Sequence, residues 1–341
     1  ASGAVSSAQV ASVKAGMGAG GNAAQLAALV TGKVSTASAP TFIASLNTHK
    51  VANLNATAVA ASGAVSSAQV ASVKAGMRSG GNAAQLAALV TGKVSILNAP
   101  TFIASLNTHK VADSNAAAVA TSGAVSSAQV ASVKAGMGAG GNSAQLAALV
   151  TAGVSARSAP AVVMAGAATT AQAQAVVAGV GADGNATQLA TLVTASVSDT
   201  DAPAVVAAGA ETPAQAKAVM AGIDADGNAA QLAALVTGGI STENAPILIA
   251  SLNTHKVADS NAATVAASGA VSSAQVASVK AGMGASGNVA QLAALVTGKV
   301  STLNAPILIA SLNTHKVADS NAAAVAASGA VSSAQVASVK A

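Results

Sequence analysis

Along residues 98–154 the apolar positions recur in short helical registers, broken at intervals by polar and glycine-rich punctuation. Val130, Val133 and Met137 stand at i, i+3 and i+7, and Leu146, Leu149 and Val150 at i, i+3 and i+4, the spacing of one helix face. The stretch divides into NAPTFIASLNTHKV, ADSNAAAVATSGAV, SSAQVASVKAGM and GNSAQLAALVTAGV. Each opens on a helix-start signal. Pro100 suits a first helical turn, where its missing N–H costs nothing. Asp113 or Ser114, Ser126 or Ser127, and Asn142 are residue types that cap free first-turn amides. SGAV (122–125) and TGKV (91–94) place Gly just past a helix with Val two residues on, which predicts a left-handed C-terminal Gly in both. Four helices of about 10–12 residues are therefore expected here.

The same pattern recurs along the whole chain. The Asn of GNAAQLAALVTGKVS and its near copies falls at Asn22, Asn82, Asn142, Asn185, Asn228 and Asn288, so repeats of 60 and 43 residues share one array. Helices this short are marginal alone and gain stability by stacking on neighbours. The expected fold class is all-α, a tandem-repeat α-solenoid of short antiparallel helices with close packing through Ala and Gly. The expected organisation is one continuous array over residues 1–341, with long repeats at about 1–157, short three-helix repeats at about 158–240 and long repeats at about 241–341. A β-solenoid competes through the Val, Thr and Asn content, but the caps and the i/i+3/i+4 spacing oppose it. Each short repeat lacks about 17 residues after its Pro segment, one helix with its connection. In a two-layer array a missing helix reverses the direction of every later helix, and a second omission restores it. The two short repeats are adjacent. Both ends fall inside a repeat, on ASGAVSSAQV and ASGAVSSAQVASVKA, so a segment of a longer array is expected.

Composition narrows the chemistry. Charged residues are 7% of the chain, against roughly 25% in ordinary soluble proteins, and the aromatics are two Phe. Disordered chains show the opposite balance, so an ordered chain is expected. Without cysteine there is no disulfide, thiolate nucleophile or thiolate metal site. The longest apolar run, 159–168, is ten residues and contains Pro160 and Gly166, whereas a helical span needs about 18–20, so no membrane span is expected.

The stretch NTHKVADSN (107–115) brings His109, Asp113 and Ser114 together, the residue types of a hydrolase. The motif repeats as His49–Lys50, His109–Lys110, His255–Lys256 and His315–Lys316, and in the first repeat Asn53 replaces the Asp. Helix-end physics accounts for the same residues: His and Lys beside a helix C-terminus, and Asp113 capping the next start. These eight positions are candidates for a repeated surface feature, and no catalytic residue or cofactor is expected. Asp224, Asp226 and Asn228 are calcium candidates, but Ala229 and Leu235 stand where an EF-hand loop has Gly and Glu. They read as an interhelical loop with Asn228 as cap, and no metal is expected. GMGAGGN (136–142) lacks the GK[ST] ending of a phosphate-binding loop and reads as a turn.

Seven acids lie between Thr151 and Glu243 beside Arg157 and Lys217, while the rest of the chain carries thirteen Lys or Arg and three acids. Lys74, Lys93, Lys110 and their copies recur at fixed positions, a pattern that can follow a phosphate backbone. QVASV…GGNAAQL resembles the DNA-reading hairpins of TAL effectors over one hairpin in two, with a different period. Without a clustered basic face, nucleic acid is not the expected partner. The expected partner is a second copy of the chain. Near-identical repeats present any surface feature at a regular pitch, and a charge-poor surface resists association poorly. The expectation is thus a non-enzymatic structural protein forming a filament, fibre, sheath or surface layer, set outside a cell or on a cell or virion surface. The alternative is a binding solenoid that offers a repetitive face to a peptide, glycan or nucleic acid. Ice or mineral binding by regular Ala, Thr and Asn rows is a third reading.

Overall fold

The structure is a computed structural model that describes residues 6–340. Those residues form 23 α-helices and no strand. Two compact units are present, Ala1–Ala173 and Gln174–Ala341. The first holds α1 (Ser7–Gly18), α2 (Ala23–Thr31), α3 (Ala39–Thr48), α4 (Asn53–Ala61), α5 (Ser67–Arg78), α6 (Ala83–Thr91), α7 (Ala99–Thr108), α8 (Asp113–Thr121), α9 (Ser127–Gly138), α10 (Ser143–Thr151) and α11 (Ala159–Met164). Helix α12 (Thr170–Gly181) carries the boundary. The second unit holds α13 (Ala186–Thr194), α14 (Ala202–Ala207), α15 (Pro213–Ile223), α16 (Ala229–Thr237), α17 (Ala245–Thr254), α18 (Asp259–Ala267), α19 (Ser273–Gly284), α20 (Val289–Thr297), α21 (Ala305–Thr314), α22 (Asp319–Ala327) and α23 (Ser333–Lys340).

A long repeat therefore contributes helices of 12, 9, 10 and 9 residues, as α5 to α8 illustrate, here called types A, B, C and D. Types A and B begin with a capping box. Ser126 Oγ accepts from the Gln129 amide while Gln129 Oε1 accepts from the Ser126 amide, and Asn142 and Gln145 do the same for α10. In the first unit α1, α3, α5, α7, α9 and α11 stack as one layer, and α2, α4, α6, α8 and α10 as the other. The core lies between the layers. Val130 and Val133 of type A, Leu86 and Leu89 of type B, and Phe102, Ile103 and Leu106 of type C are buried. Met137 and Val150, placed on the apolar faces by sequence, are only half-buried. Gly136 takes the contact at that point, since a Cβ there would lie 2.5 Å from Leu149 Cδ1.

In the second unit, α13 and α15 stack with α17, α19, α21 and α23, and α14 and α16 with α18, α20 and α22. Helix α13 is type B by sequence yet shares a layer with the type-A helix α15, and the type-C-like α14 shares one with the type-B helix α16. The short repeat thus exchanges the layers of its helix types, as the parity argument expects. The short helices also show what is missing. Each has six residues, opening on Ser158-Ala159-Pro160 or Asp201-Ala202-Pro203 like type C. Each closes on Gly166 (φ +85°) or Gly209 (φ +81°), as type D closes on Gly123 (φ +85°). The front of C is fused to the back of D.

Two local expectations are corrected. In TGKV the left-handed residue is Lys93 (φ +51°), not Gly92, which has φ −81°. Lys33, Lys50, Lys110, Lys256, Lys299 and Lys316 share this conformation. Gly92 serves packing instead: a Cβ there would lie 2.5 Å from Ala120 Cβ and 2.7 Å from the Ala120 carbonyl. Nor does Asp113 or Ser114 cap α8. Its N-cap is Ala112, with no side-chain cap bond, and Asp113 is the first helical residue.

One serine departs from its copies. Ser12, Ser72 and Ser278 of type A each donate through Oγ to the carbonyl of Val34, Val94 or Val300 at 2.8 Å. Ser132 is 0% exposed and its Oγ has no partner. Short repeats carry Ala175 and Ala218 at this position. An unmet buried hydroxyl costs about 1–3 kcal/mol, and a satisfied one contributes about 1. S132A should therefore leave stability unchanged or raise it, while S72A should lower it by about 1 kcal/mol, as read from thermal unfolding followed by circular dichroism.

Candidate functional site

Type C ends on Asn-Thr-His-Lys, and the chain turns sharply there into type D. Leu106 O accepts from the Val111 amide, which forces Lys110 into the left-handed region (φ +48°) and leaves His109 as the C-cap. An L-residue in that region costs about 1–2 kcal/mol. The turn aims His109 at the next type-A helix, where its Nε2 shares a 2.8 Å hydrogen bond with Ser127 Oγ. His49 does so with Ser67, His255 with Ser273 and His315 with Ser333, at 2.7–2.8 Å.

The type-A helix answers with a cation. Lys134 Nζ donates to His109 O at 2.6 Å and Lys280 Nζ to His255 O at 2.6 Å; Lys74 and Lys340 donate to His49 O and His315 O. A positive charge on the last carbonyls of a helix is favoured by the macrodipole. Short repeats lack the His and carry Val177 and Met220 in place of this Lys. The two residues come and go together, a sequence signal for the pairing that local motif reading missed.

The carboxylate goes elsewhere. Asp113 Oδ1 accepts from Asn82 Nδ2 at 2.8 Å, with matching bonds from Asn228 to Asp259 (2.8 Å) and Asn288 to Asp319 (2.9 Å). In the first repeat Asn53 takes the same bond from Asn22 at 2.9 Å. Since an amide replaces the acid without loss of the joint, the joint needs an acceptor at this position and does not depend on a carboxylate. Ser114 is exposed. The trio adjacent in sequence is thus divided: His109 joins Ser127, and Asp113 joins Asn82. A nucleophile–base pair works in acyl transfer when a third group orients the base and donors await the oxyanion. Ser127 is an exposed first-turn residue, and the acid at this corner faces away from the His.

Type B supplies a further joint. Gln25, Gln85, Gln231 and Gln291 each donate through Nε2 to Asn47, Asn107, Asn253 or Asn313 Oδ1 at 2.7 Å. Where a six-residue helix follows, Gln145 and Gln188 donate instead to the carbonyls of Val163 and Val206, at 3.0 and 3.1 Å. The calcium candidates occupy the loop between α15 and α16. Asn228 Oδ1 accepts from the Gln231 amide at 3.0 Å, Asp226 is a left-handed loop residue (φ +59°), and Asp224 is the C-cap of α15. Among the described residues, no three His, Cys, Asp or Glu lie together as metal ligands, and no helix is long and apolar enough to cross a membrane.

These elements define the class: an α-solenoid of tandem helical repeats, jointed by a recurring set of polar side chains. No family model matches the chain, and neither a curated protein nor a solved structure matches it.

Proposed function

We propose that this is a non-enzymatic structural repeat protein that assembles with copies of itself into a filament, fibre, sheath or surface layer, outside a cell or on a cell or virion surface. The observation that carries the proposal is the use made of the polar side chains. His, Gln, Asn and the type-A Lys, which recur at fixed positions, are engaged in joints between helices of the same chain. Charged residues are only 7% of the chain, and two repeats expose a large apolar side chain at the same place. Leu97 and Leu303, in the turn before type C, are 85% and 84% exposed. A regular, weakly charged surface bearing such contacts favours association.

Sedimentation velocity and negative-stain microscopy across a concentration series test the proposal. Ordered polymers that grow with concentration are expected, and L97K together with L303K should shift the distribution toward monomer. A monodisperse monomer at the highest concentration reached would refute it.

A further inference from the structure

We propose that the corner joining α3, α4 and α5 binds a single phosphate dianion, as inorganic phosphate or as the head of a phosphomonoester. The inference is independent of self-assembly. A cavity of about 350 Å³ opens there, lined by Lys50, Ala52, Asn55, Lys74, Met77 and Arg78. Three lining residues are cationic and none is acidic. Lys74 Nζ is fixed by His49 O and by Lys50 O (3.2 Å for the latter), and of its three N–H donors one remains free. Arg78, in the last turn of α5, offers the planar fork that matches two phosphate oxygens at once, with Lys50 as a compact second charge. The Asn55 side chain supplies a neutral donor.

Two of the substitutions that set this corner apart from its copies change its charge, and they act in the same direction. Where Asp113, Asp259 and Asp319 begin type D in the other long repeats, Asn53 stands here, which removes an acid. Where Gly138 and Gly284 follow the type-A Lys by four positions, Arg78 stands here, which adds a cation. The Asn22–Asn53 bond keeps the helix joint, so the acid is absent with no change in architecture. Three cations around one small cavity match a dianion better than a singly charged carboxylate. Sister corners retain their Asp, so the basic charge is concentrated in one place rather than drawn out as the track a nucleic acid needs.

The test is isothermal titration calorimetry on the full chain at low salt, with inorganic phosphate, with glycerol phosphate and with a short DNA duplex. One saturable site per chain is expected for inorganic phosphate. If glycerol phosphate binds equally, the recognised group is a phosphomonoester; if it does not, free phosphate is the ligand. R78G with N53D should weaken binding by at least about tenfold. Both replacements are residues that sister corners already carry, so the fold is kept, and circular dichroism verifies this. Conversely, G138R with D113N should create a second site, since nothing lies within 4 Å of a Cβ built at Gly138. Absence of saturable phosphate binding, binding unchanged by R78G/N53D, or a duplex that binds far more tightly than phosphate would each overturn the proposal.

Discussion

Truncating Phe102 to alanine should destabilise the first unit by about 3–5 kcal/mol, the range for emptying a buried aromatic site. Phe102 is 0% exposed, as are Ile103 and Leu106 on the same helix. A repeat of Ala- and Gly-rich helices has few large side chains, so one Phe is a large share of each local core, and small neighbours collapse poorly into the space it leaves. The second unit fills the equivalent position with Leu248 and Leu308, both 0% exposed. F102L should therefore cost under about 1.5 kcal/mol. Because repeat arrays lose stability repeat by repeat, the best readout is native-state hydrogen exchange. Protection in α5–α9 should fall for F102A, with less change in α19–α22. With no Trp or Tyr in the chain, global unfolding is followed by circular dichroism. Uniform loss across both units, or equal effects of F102A and F102L, would contradict the argument.

G92A should cost about 1–3 kcal/mol, the range for forcing an extra carbon into a packed contact. The residue has an ordinary φ of −81°, so the cost is steric rather than conformational. The Cβ would meet Ala120 at its Cβ, carbonyl carbon and carbonyl oxygen, and backbone cannot swing away as a side-chain tip can. Gly32, Gly238 and Gly298 face Ala60, Ala266 and Ala326 in the same way. Where type D is missing, the position is Ala152 or Ala195. Glycine thus occurs where a type-D helix must come close and alanine where none does, so A152G should cost less than about 1 kcal/mol. One residue further on the sign reverses. K93G relieves a left-handed Lys and should stabilise by about 1 kcal/mol. Urea midpoints of the three variants settle the order; G92A as mild as A152G would show that the layers can part without loss.

Much of this architecture is readable in the sequence because it is local. A Ser or Asn three residues before a Gln, with apolar residues at helical spacing after it, is a complete instruction for a capped helix, and types A and B form accordingly. The misreadings have a common cause: a contact distant in sequence overrides a local rule. A Gly just past a helix has two physical reasons, a left-handed turn or a close neighbour. SGAV has the first and TGKV the second, and only the packing of α8 on α6 separates them. Asp113 suits a cap, but Asn82, 31 positions earlier, takes its carboxylate. His109 invites pairing with the residues beside it in the chain, while its partner Ser127 lies 18 positions on. The absence of His and Lys together from the short repeats is the one sequence signal for that joint.

The polar joints that hold types A to D together span 18, 22, 25 or 31 residues of chain. They are rivets between close neighbours, with none reaching far along the array. Within either unit, a pull along its stacked layers would load them in series rather than in parallel, so the weakest repeat opens first while the others stay shut. Each opened 60-residue repeat would release about 200 Å of slack at 3.3–3.6 Å per residue. Each unit would therefore lengthen in steps and dissipate work at each one.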